Sequence, residues 1–205
     1  MAFYILGVDV SYWQGEMNWL KTKSAGANFA FIRAGSINGF THVCYEDYRW
    51  KENIEEAVDI LPVGAYWYLR PTLDVKKQAL YFFNLIKPYI GRKNFRWVIC
   101  DIEETGPAVA AKTFLDEVKR LSEGKVSSKL VYTGPDIWKN RLTGDKSWAI
   151  DCDLHIANYE VERPEIPAPW TKYSLWQFSA RGNGKGREFG ASSGDIFFSK
   201  GPKIF

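Results

Sequence analysis

The sequence predicts a single α/β domain over residues 1–205, a parallel barrel short of a few helices. Short apolar runs alternate with helically periodic stretches along the first two thirds of the chain. The apolar runs number about eight, and the helical stretches thin out after residue 142. The rival is a doubly wound open sheet, which usually carries a Gly-rich phosphate loop after its first strand. Here that turn reads Asp9-Val10-Ser11-Tyr12-Trp13-Gln14-Gly15, with neither GxGxxG nor GxxxxGK, so nucleotide binding is not expected.

The first strand is expected from Phe3 to Val10, the second over Phe29–Arg33 and the third over Val63–Tyr68. Trp97–Glu103 is the fourth, an unbroken apolar run as far as Cys100 and therefore buried on both faces. Lys129–Tyr132, Asp153–Asn158, Tyr173–Phe178 and Asp195–Phe198 complete the set. Between them, Trp19–Ser24 reads as a short helix. Asp47–Asp59 carries Trp50, Ile54, Ala57 and Val58 at helical spacing, and Leu73–Tyr89 carries Ala79, Leu80, Phe83 and Ile86. Pro107–Leu121 opens on a proline suited to a helix start and repeats Ala111, Phe114, Leu115 and Val118. Pro135–Leu142 is a further short helix, and Pro164, Pro167 and Pro169 mark a loop.

Composition narrows the function classes. Hydrophobic residues at 46% and charged residues at 25% are those of a globular chain rather than a disordered one. Aromatic residues reach 16%, which serves either a large aromatic core or a groove that stacks sugar rings. A net charge of +3 is far from a nucleic-acid footprint, though it suits approach to an anionic surface. The three cysteines, Cys44, Cys100 and Cys152, form no CxxC pattern, so neither a zinc site nor a disulfide framework is expected. Met-Ala-Phe-Tyr-Ile-Leu-Gly lacks a basic, then apolar, secretory leader, and no apolar run is long enough to span a membrane. The expectation is a monomer with no cofactor, no metal, no nucleic-acid partner and no membrane insertion.

In a parallel barrel, functional groups gather where strands end and the following loops begin. Asp9 closes the first strand, Asp101 and Glu103 close the fourth, and Asp195 starts the last strand or lies in the loop before it. Side chains alternate along a strand, so Asp101 and Glu103 share a face with their bases roughly 6–7 Å apart. Glycoside hydrolysis uses a carboxyl pair at about that separation, one protonated and one charged. Like-charge crowding drives the two pKa values apart and so assigns the roles. Each carboxylate also has a plain structural reading, as an acidic strand end, a turn or a helix cap. The burial of the strand leading into Asp101 weighs against that reading, because carboxylates there are costly unless used or paired.

Taken in order, these segments resemble glycoside hydrolase family 25, the Chalaropsis-type lysozymes. The resemblance rests on Gly7-Val8-Asp9-Val10-Ser11-Tyr12-Trp13-Gln14-Gly15, Phe29-Ala30-Phe31-Ile32-Arg33-Ala34 and Gly64-Ala65-Tyr66-Trp67-Tyr68. It continues through Val98-Ile99-Cys100-Asp101-Ile102-Glu103 and Trp176-Gln177-Phe178 followed by Asp195, and so covers essentially the whole chain. It implies an irregular TIM-like barrel of the (β/α)5(β)3 type. It also implies an N-acetylmuramidase that cleaves the β-1,4 bond between N-acetylmuramic acid and N-acetylglucosamine in peptidoglycan. By resemblance Glu103 is the proton donor, and Asp101 orients the substrate's acetamido group, whose carbonyl attacks with retention. Asp9 and Asp195 match two further pocket carboxylates. Tyr66 matches a pocket aromatic, Tyr68 shares its strand face, and Trp176 is a candidate stacking wall. Tyr132 and Asn158, at the ends of the fifth and sixth strands, are further candidates for substrate contact.

The chain departs from the family pattern at Trp67, which stands in place of a usual His, and at Leu69-Arg70-Pro71. It departs also in the Gly- and charge-rich stretch from Arg181 to Ser193, an atypical length before Asp195. A wall substrate without a leader fits a phage endolysin made in the host cytoplasm, or export by a non-classical route. Two other readings stay open, a different amino-sugar glycosidase of chitinase or endo-N-acetylglucosaminidase type, and a non-catalytic glycan-binding barrel. A metal-dependent hydrolase is more distant, since the two histidines, His42 and His155, sit in no ligand pattern.

Overall fold

The computed structural model describes residues 4–126 and 129–202. Phe3, the expected start of the first strand, lies outside them. In chain order the elements are β1 (Tyr4–Val10), α1 (Trp19–Ser24), β2 (Phe29–Ile37), β3 (Cys44–Glu46), α2 (Trp50–Ile60), β4 (Val63–Leu69) and α3 (Val75–Ile86). There follow β5 (Phe95–Ile102), the two-residue β6 (Gly106–Pro107), α4 (Val109–Leu121), β7 (Leu130–Thr133) and the two-residue β8 (Leu142–Thr143). The chain finishes with β9 (Asp153–Ala157), β10 (Leu175–Ser179) and β11 (Phe197–Pro202).

Eight strands close into a barrel in the order β1-β11-β10-β9-β7-β5-β4-β2, with β2 pairing back onto β1. β3 adds an antiparallel hairpin to the outer part of β2, and β6 with β8 forms a separate small ladder. All barrel pairings are parallel except the two made by β11, which runs antiparallel to both β1 and β10. Parallel neighbours need a crossover, whereas an antiparallel neighbour can return through a loop. The helix-poor segment after β10 is therefore what lets β11 reverse direction. The last strand starts two residues later than Asp195, the expected start.

Alternation along the strands sorts the chain into two cores. Outward positions such as Val8, Ile32, Ala65, Trp67, Val98, Cys100 and Ile102 pack against the helices. Inward positions Phe29, Phe31, Trp97, Ile99, Leu130 and Leu175 fill the barrel from its base. A Cβ at Gly7 would stand 2.2 Å from the Phe29 ring, so only glycine leaves that ring room inside the closed sheet.

The expected faces of α2 and α4 are the buried ones, Trp50, Ile54, Ala57 and Val58 on one, Ala111, Phe114, Leu115 and Val118 on the other. On α3 the face differs, because Gln78, Ala79, Phe82 and Ile86 are buried while Leu80 is half exposed. A buried glutamine outcompetes Leu80 because it staples the end of β4. Its Oε1 accepts from Trp67 Nε1 at 3.0 Å and from the Arg70 backbone at 3.1 Å, and its amide donates to Arg70 O at 3.0 Å. Pro135–Leu142, expected to be a short helix, is helical over residues 135–141, the part from Ile137 to Arg141 wound as a wide turn.

The Gln78 staple sets a test of the fold. Gln78→Leu keeps the volume but strands an indole N–H and two backbone groups in the core. The expected cost is about 2–4 kcal/mol, a fall in Tm of roughly 5–10 °C by calorimetry. An unchanged Tm would remove the staple from the account.

Candidate active site

The inward face changes character towards the mouth of the barrel. On β5 it runs Trp97, Ile99, Asp101 and then Glu103 just past the strand end. On β1 it runs Gly7, Asp9 and Ser11, on β2 Phe29, Phe31 and Arg33, and on β4 Gly64, Tyr66 and Tyr68. The register sets Tyr68 beside Asp101, Asp101 beside Tyr132, and Tyr132 beside His155. These side chains line a cavity of about 330 Å³ at the carboxyl ends of the parallel strands.

The carboxyls of Asp101 and Glu103 lie within hydrogen-bonding reach of each other, a contact in which a protonated Asp101 donates to the Glu103 carboxylate. Burial raises the Asp101 pKa well above the usual carboxylate range, and the adjacent Glu103 charge adds to this, while Arg33 opposes it. Burial raises Glu103 too, the hydrogen bond from Asp101 lowers it, and the neighbouring Glu104 charge adds a smaller rise. This contact is closer than the base spacing of the pair suggested from sequence, so the two act as one proton-holding unit rather than as two carboxylates flanking a bond.

Asp9 is the third carboxylate. Burial pushes its pKa up to about 6, against the lowering effect of hydrogen bonds from Gln177 and Ser199. Gln177 Nε2 donates to Asp9 Oδ2, and Ser199 Oγ donates to the same oxygen at 2.6 Å. The Gln177 carbonyl accepts from the phenols of Tyr132, at 2.8 Å, and Tyr159. Asp9 Oδ1 and Asp101 Oδ1 are buried and have no hydrogen-bond partner within the protein. Two acceptor atoms are thus left for donors that a bound molecule would bring.

A cation faces the acids. Arg33 is held by Asp47, with both Nε and one terminal nitrogen 2.6 Å from Oδ2, and its guanidinium lies 4.9 Å over the Tyr12 ring. At the rim Arg70 pairs with Glu104 at 2.6 Å, and the Tyr68 hydroxyl donates to the same oxygen at 3.3 Å. Trp13, 64% exposed, closes one wall of the cavity from the turn after β1. Among the described residues, no group of three or more His, Cys, Asp or Glu is arranged to hold a metal ion.

Asp9, Asp101, Glu103, Tyr66, Tyr68 and Tyr132 therefore converge on one pocket. Three other sequence candidates do not. Asp195 is exposed in the turn before β11, where its own backbone N–H donates to the Ser193 hydroxyl and its carbonyl accepts from it, and Phe197 takes the cavity wall instead. Trp176 has the outward parity of β10 and is buried under Lys200, whose ammonium sits 4.2 Å over its ring. Asn158 turns its carbonyls to Trp176 Nε1 and to the Glu165 backbone. Arg33, His155, Gln177 and Ser199 were missed, yet each has the inward parity that found Asp101. Tyr159 and Trp13 sit in turns and give no such signal.

The Asp101 shift has a consequence for stability. A buried acid with a raised pKa holds a proton that the unfolded chain has already lost, so the native state is destabilised as pH rises through that window. Asp101→Asn removes the charge problem and keeps a partner for Glu103. Thermal melting is expected to show a Tm roughly 2–4 °C higher than the unmodified protein at pH 8, with the gap closing near pH 4. A lower Tm at pH 8 would contradict this electrostatic picture.

The family model of glycosyl hydrolases family 25 matches residues 8–187. The chain is similar to Lysozyme M1 of Streptomyces globisporus, with 27% identity over 94% of this chain and 66% of that one. It is similar also to the autolytic lysozyme of Clostridium acetobutylicum, with 29% identity over 88% of this chain and 52% of the other. It thus spans just under two thirds of the first and about half of the second. Among solved structures, the bacterial lysozyme from Streptomyces coelicolor superposes with a TM-score of 0.74 at 25% identity, covering 96% of this chain and 91% of that one.

Proposed function

The chain belongs to glycosyl hydrolases family 25, and on that premise we propose that it is an N-acetylmuramidase that cuts the β-1,4 bond between N-acetylmuramic acid and N-acetylglucosamine in peptidoglycan. The observation that carries this reading is the Asp101–Glu103 carboxyl pair, within hydrogen-bonding reach of each other in an aromatic-walled cavity. Glu103 is the less buried of the two, so it is the group that donates to the leaving glycosidic oxygen, drawing on the proton that the pair holds. Burial raises both carboxyls and so favours the protonated form that a general acid requires.

The contact between Asp101 and Glu103 supports a nucleophile from outside the pair. Carboxyls in a retaining two-carboxylate enzyme stand about 5–5.5 Å apart, and in an inverting one about 6.5–9.5 Å. The substrate's own acetamido oxygen fits the requirement. Asp101 Oδ1, lacking a protein partner, then accepts the acetamido N–H and aims the carbonyl at the anomeric carbon. As Glu103 gives up its proton, negative charge gathers on the pair opposite the positive sugar, and Asp9 adds to that field. Hydrolysis of the resulting oxazoline returns the original anomeric configuration. Trp13 supplies the stacking wall that Trp176, buried on the outer face, cannot.

Glu103→Gln is expected to slow the clearing of purified Gram-positive cell walls at least about a hundredfold, with muramic acid at the new reducing ends of the unmodified enzyme's products. Full activity in the variant would remove Glu103 as the acid. The rate profile should be bell-shaped, falling below about pH 6 as Asp9 gains a proton and falling again at higher pH as the Asp101–Glu103 pair loses the proton it holds. Trp13→Ala should raise KM about tenfold with kcat little changed, and Trp176→Ala should not behave in that way. Equal effects of the two on KM would leave Trp13 without its assigned place.

A further inference from the structure

Behind Asp9 lie two polar groups that no step above uses. His155 on β9 is 1% exposed and Ser199 on β11 is wholly buried. His155 Nε2 and Ser199 Oγ are 2.8 Å apart, and Ser199 Oγ is 2.6 Å from Asp9 Oδ2. A hydroxyl has one proton. If Ser199 spent it on His155, its lone pairs would face the Asp9 carboxylate at 2.6 Å, which is repulsive. The hydroxyl must therefore donate to Asp9 and accept from His155, which fixes the imidazole as the Nε2–H tautomer.

The ring is held for that task. It lies between Phe31 and Tyr132, with centroids 5.4 and 4.9 Å away, and its Nδ1 has no partner. Burial drives its pKa down to about 3, so it stays neutral over the working range. His155 Nε2 is 3.8 Å from Asp9 Oδ2, but a neutral ring makes no ion pair there. The Gln177 arm is built on the same plan. Two phenols donate to its carbonyl, so its amide end must point at Asp9.

We propose that His155 and Ser199 are positioning residues for Asp9, a relay in which each proton is committed by the donor behind it, so that Oδ2 is saturated from the barrel side and the buried Oδ1 is the acceptor left without a partner. The relay rests on the muramidase reading only for what Asp9 then does, since the hydrogen-bond logic stands without it. Donors to the charged form favour that form, so the relay also holds Asp9 ionised at a lower pH than burial alone permits. The other titratable groups around this cavity are Arg33 on β2, Tyr66 and Tyr68 on β4, Asp101 on β5 with Glu103 just past its end, Tyr132 on β7 and Tyr159 after β9. None of these takes the place of Ser199 at Oδ2.

The test follows the Asp9 carboxyl carbon by NMR as pH is varied, in the unmodified protein and in Ser199→Ala, His155→Leu and His155→Gln. Loss of a hydrogen bond to a charged group should move the Asp9 titration up by about one pH unit in Ser199→Ala. His155→Leu should move it in the same direction and by less, and His155→Gln, whose amide can still donate, should lie near the unmodified protein. The acid limb of the rate profile should move with it, a change that a merely structural defect does not produce. Ring 15N shifts of the unmodified protein should report the Nε2–H tautomer with no titration down to pH 4. An Asp9 titration unmoved in both Ser199→Ala and His155→Leu, or an Nδ1–H tautomer, overturns the relay; should the variants not fold, the tautomer alone decides it. Because the Asp9 titration and the tautomer need no substrate, failure of the relay is distinct from failure to clear cell walls.

Discussion

Three carboxyl groups, on Asp9, Asp101 and Glu103, line one pocket, and burial there opposes the ionisation of each of them. Much of what surrounds them answers that constraint. Asp101 and Glu103 keep a proton between them, and burial raises both. Arg33 stands opposite with its own counter-charge, Asp47, set outside the pocket. Asp9, which has no carboxyl in contact, is supported instead by neutral donors from Gln177 and Ser199. The cost is sizeable. The shift of Asp9 from 3.8 to about 6 corresponds to roughly 3 kcal/mol of native-state stability forgone at neutral pH.

The barrel makes such a pocket possible by separating its interior into levels. Rings of Phe29, Phe31, Trp97, Leu130 and Leu175 fill the base and exclude water from below. Two residues further along the same strands the inward positions turn polar, and the closed sheet brings Asp9, Arg33, Asp101 and Gln177 together from β1, β2, β5 and β10. These residues are up to 168 positions apart in sequence. Their backbones are fixed by ladders on both sides, so the acids are held by strand register more than by their own contacts. The helices matter less directly. Gln78 on α3 reaches over the end of β4 and sets the course of Arg70, whose pairing with Glu104 tempers the charge beside Glu103.

The reversal of β11 shows how a change in connection alters a site. With only a single 3-10 turn at Gly182–Gly184 between β10 and β11, the chain comes back antiparallel, and the pairing of Asp9 with Phe197 sets an aromatic at the height where a fourth carboxylate was expected. Asp195, two residues earlier, has the same parity but lies beyond the ladder, in solvent. Trp176 was misplaced for a different reason. Its neighbour Gln177 faces inward, and alternation then obliges Trp176 to face out, where Lys200 covers it.

The sequence alone determined the barrel, the strand that carries Asp101 and Glu103, and the strand end of Asp9, each of them local information, an apolar run, a period of two and a polar residue at its end. Tyr66 and Tyr68 came with the resemblance to the family rather than from that pattern. The same period, carried along Phe29-Phe31-Arg33 and Phe197-Ser199, also marks Arg33 and Ser199 as inward. Only the tertiary structure decided that the carboxyls of Asp101 and Glu103 touch, that Ser199 meets Asp9, and that Trp13 rather than Trp176 borders the cavity. Those facts depend on barrel closure, strand direction and turn geometry, which set distances between residues far apart in the chain and leave no periodic trace in it.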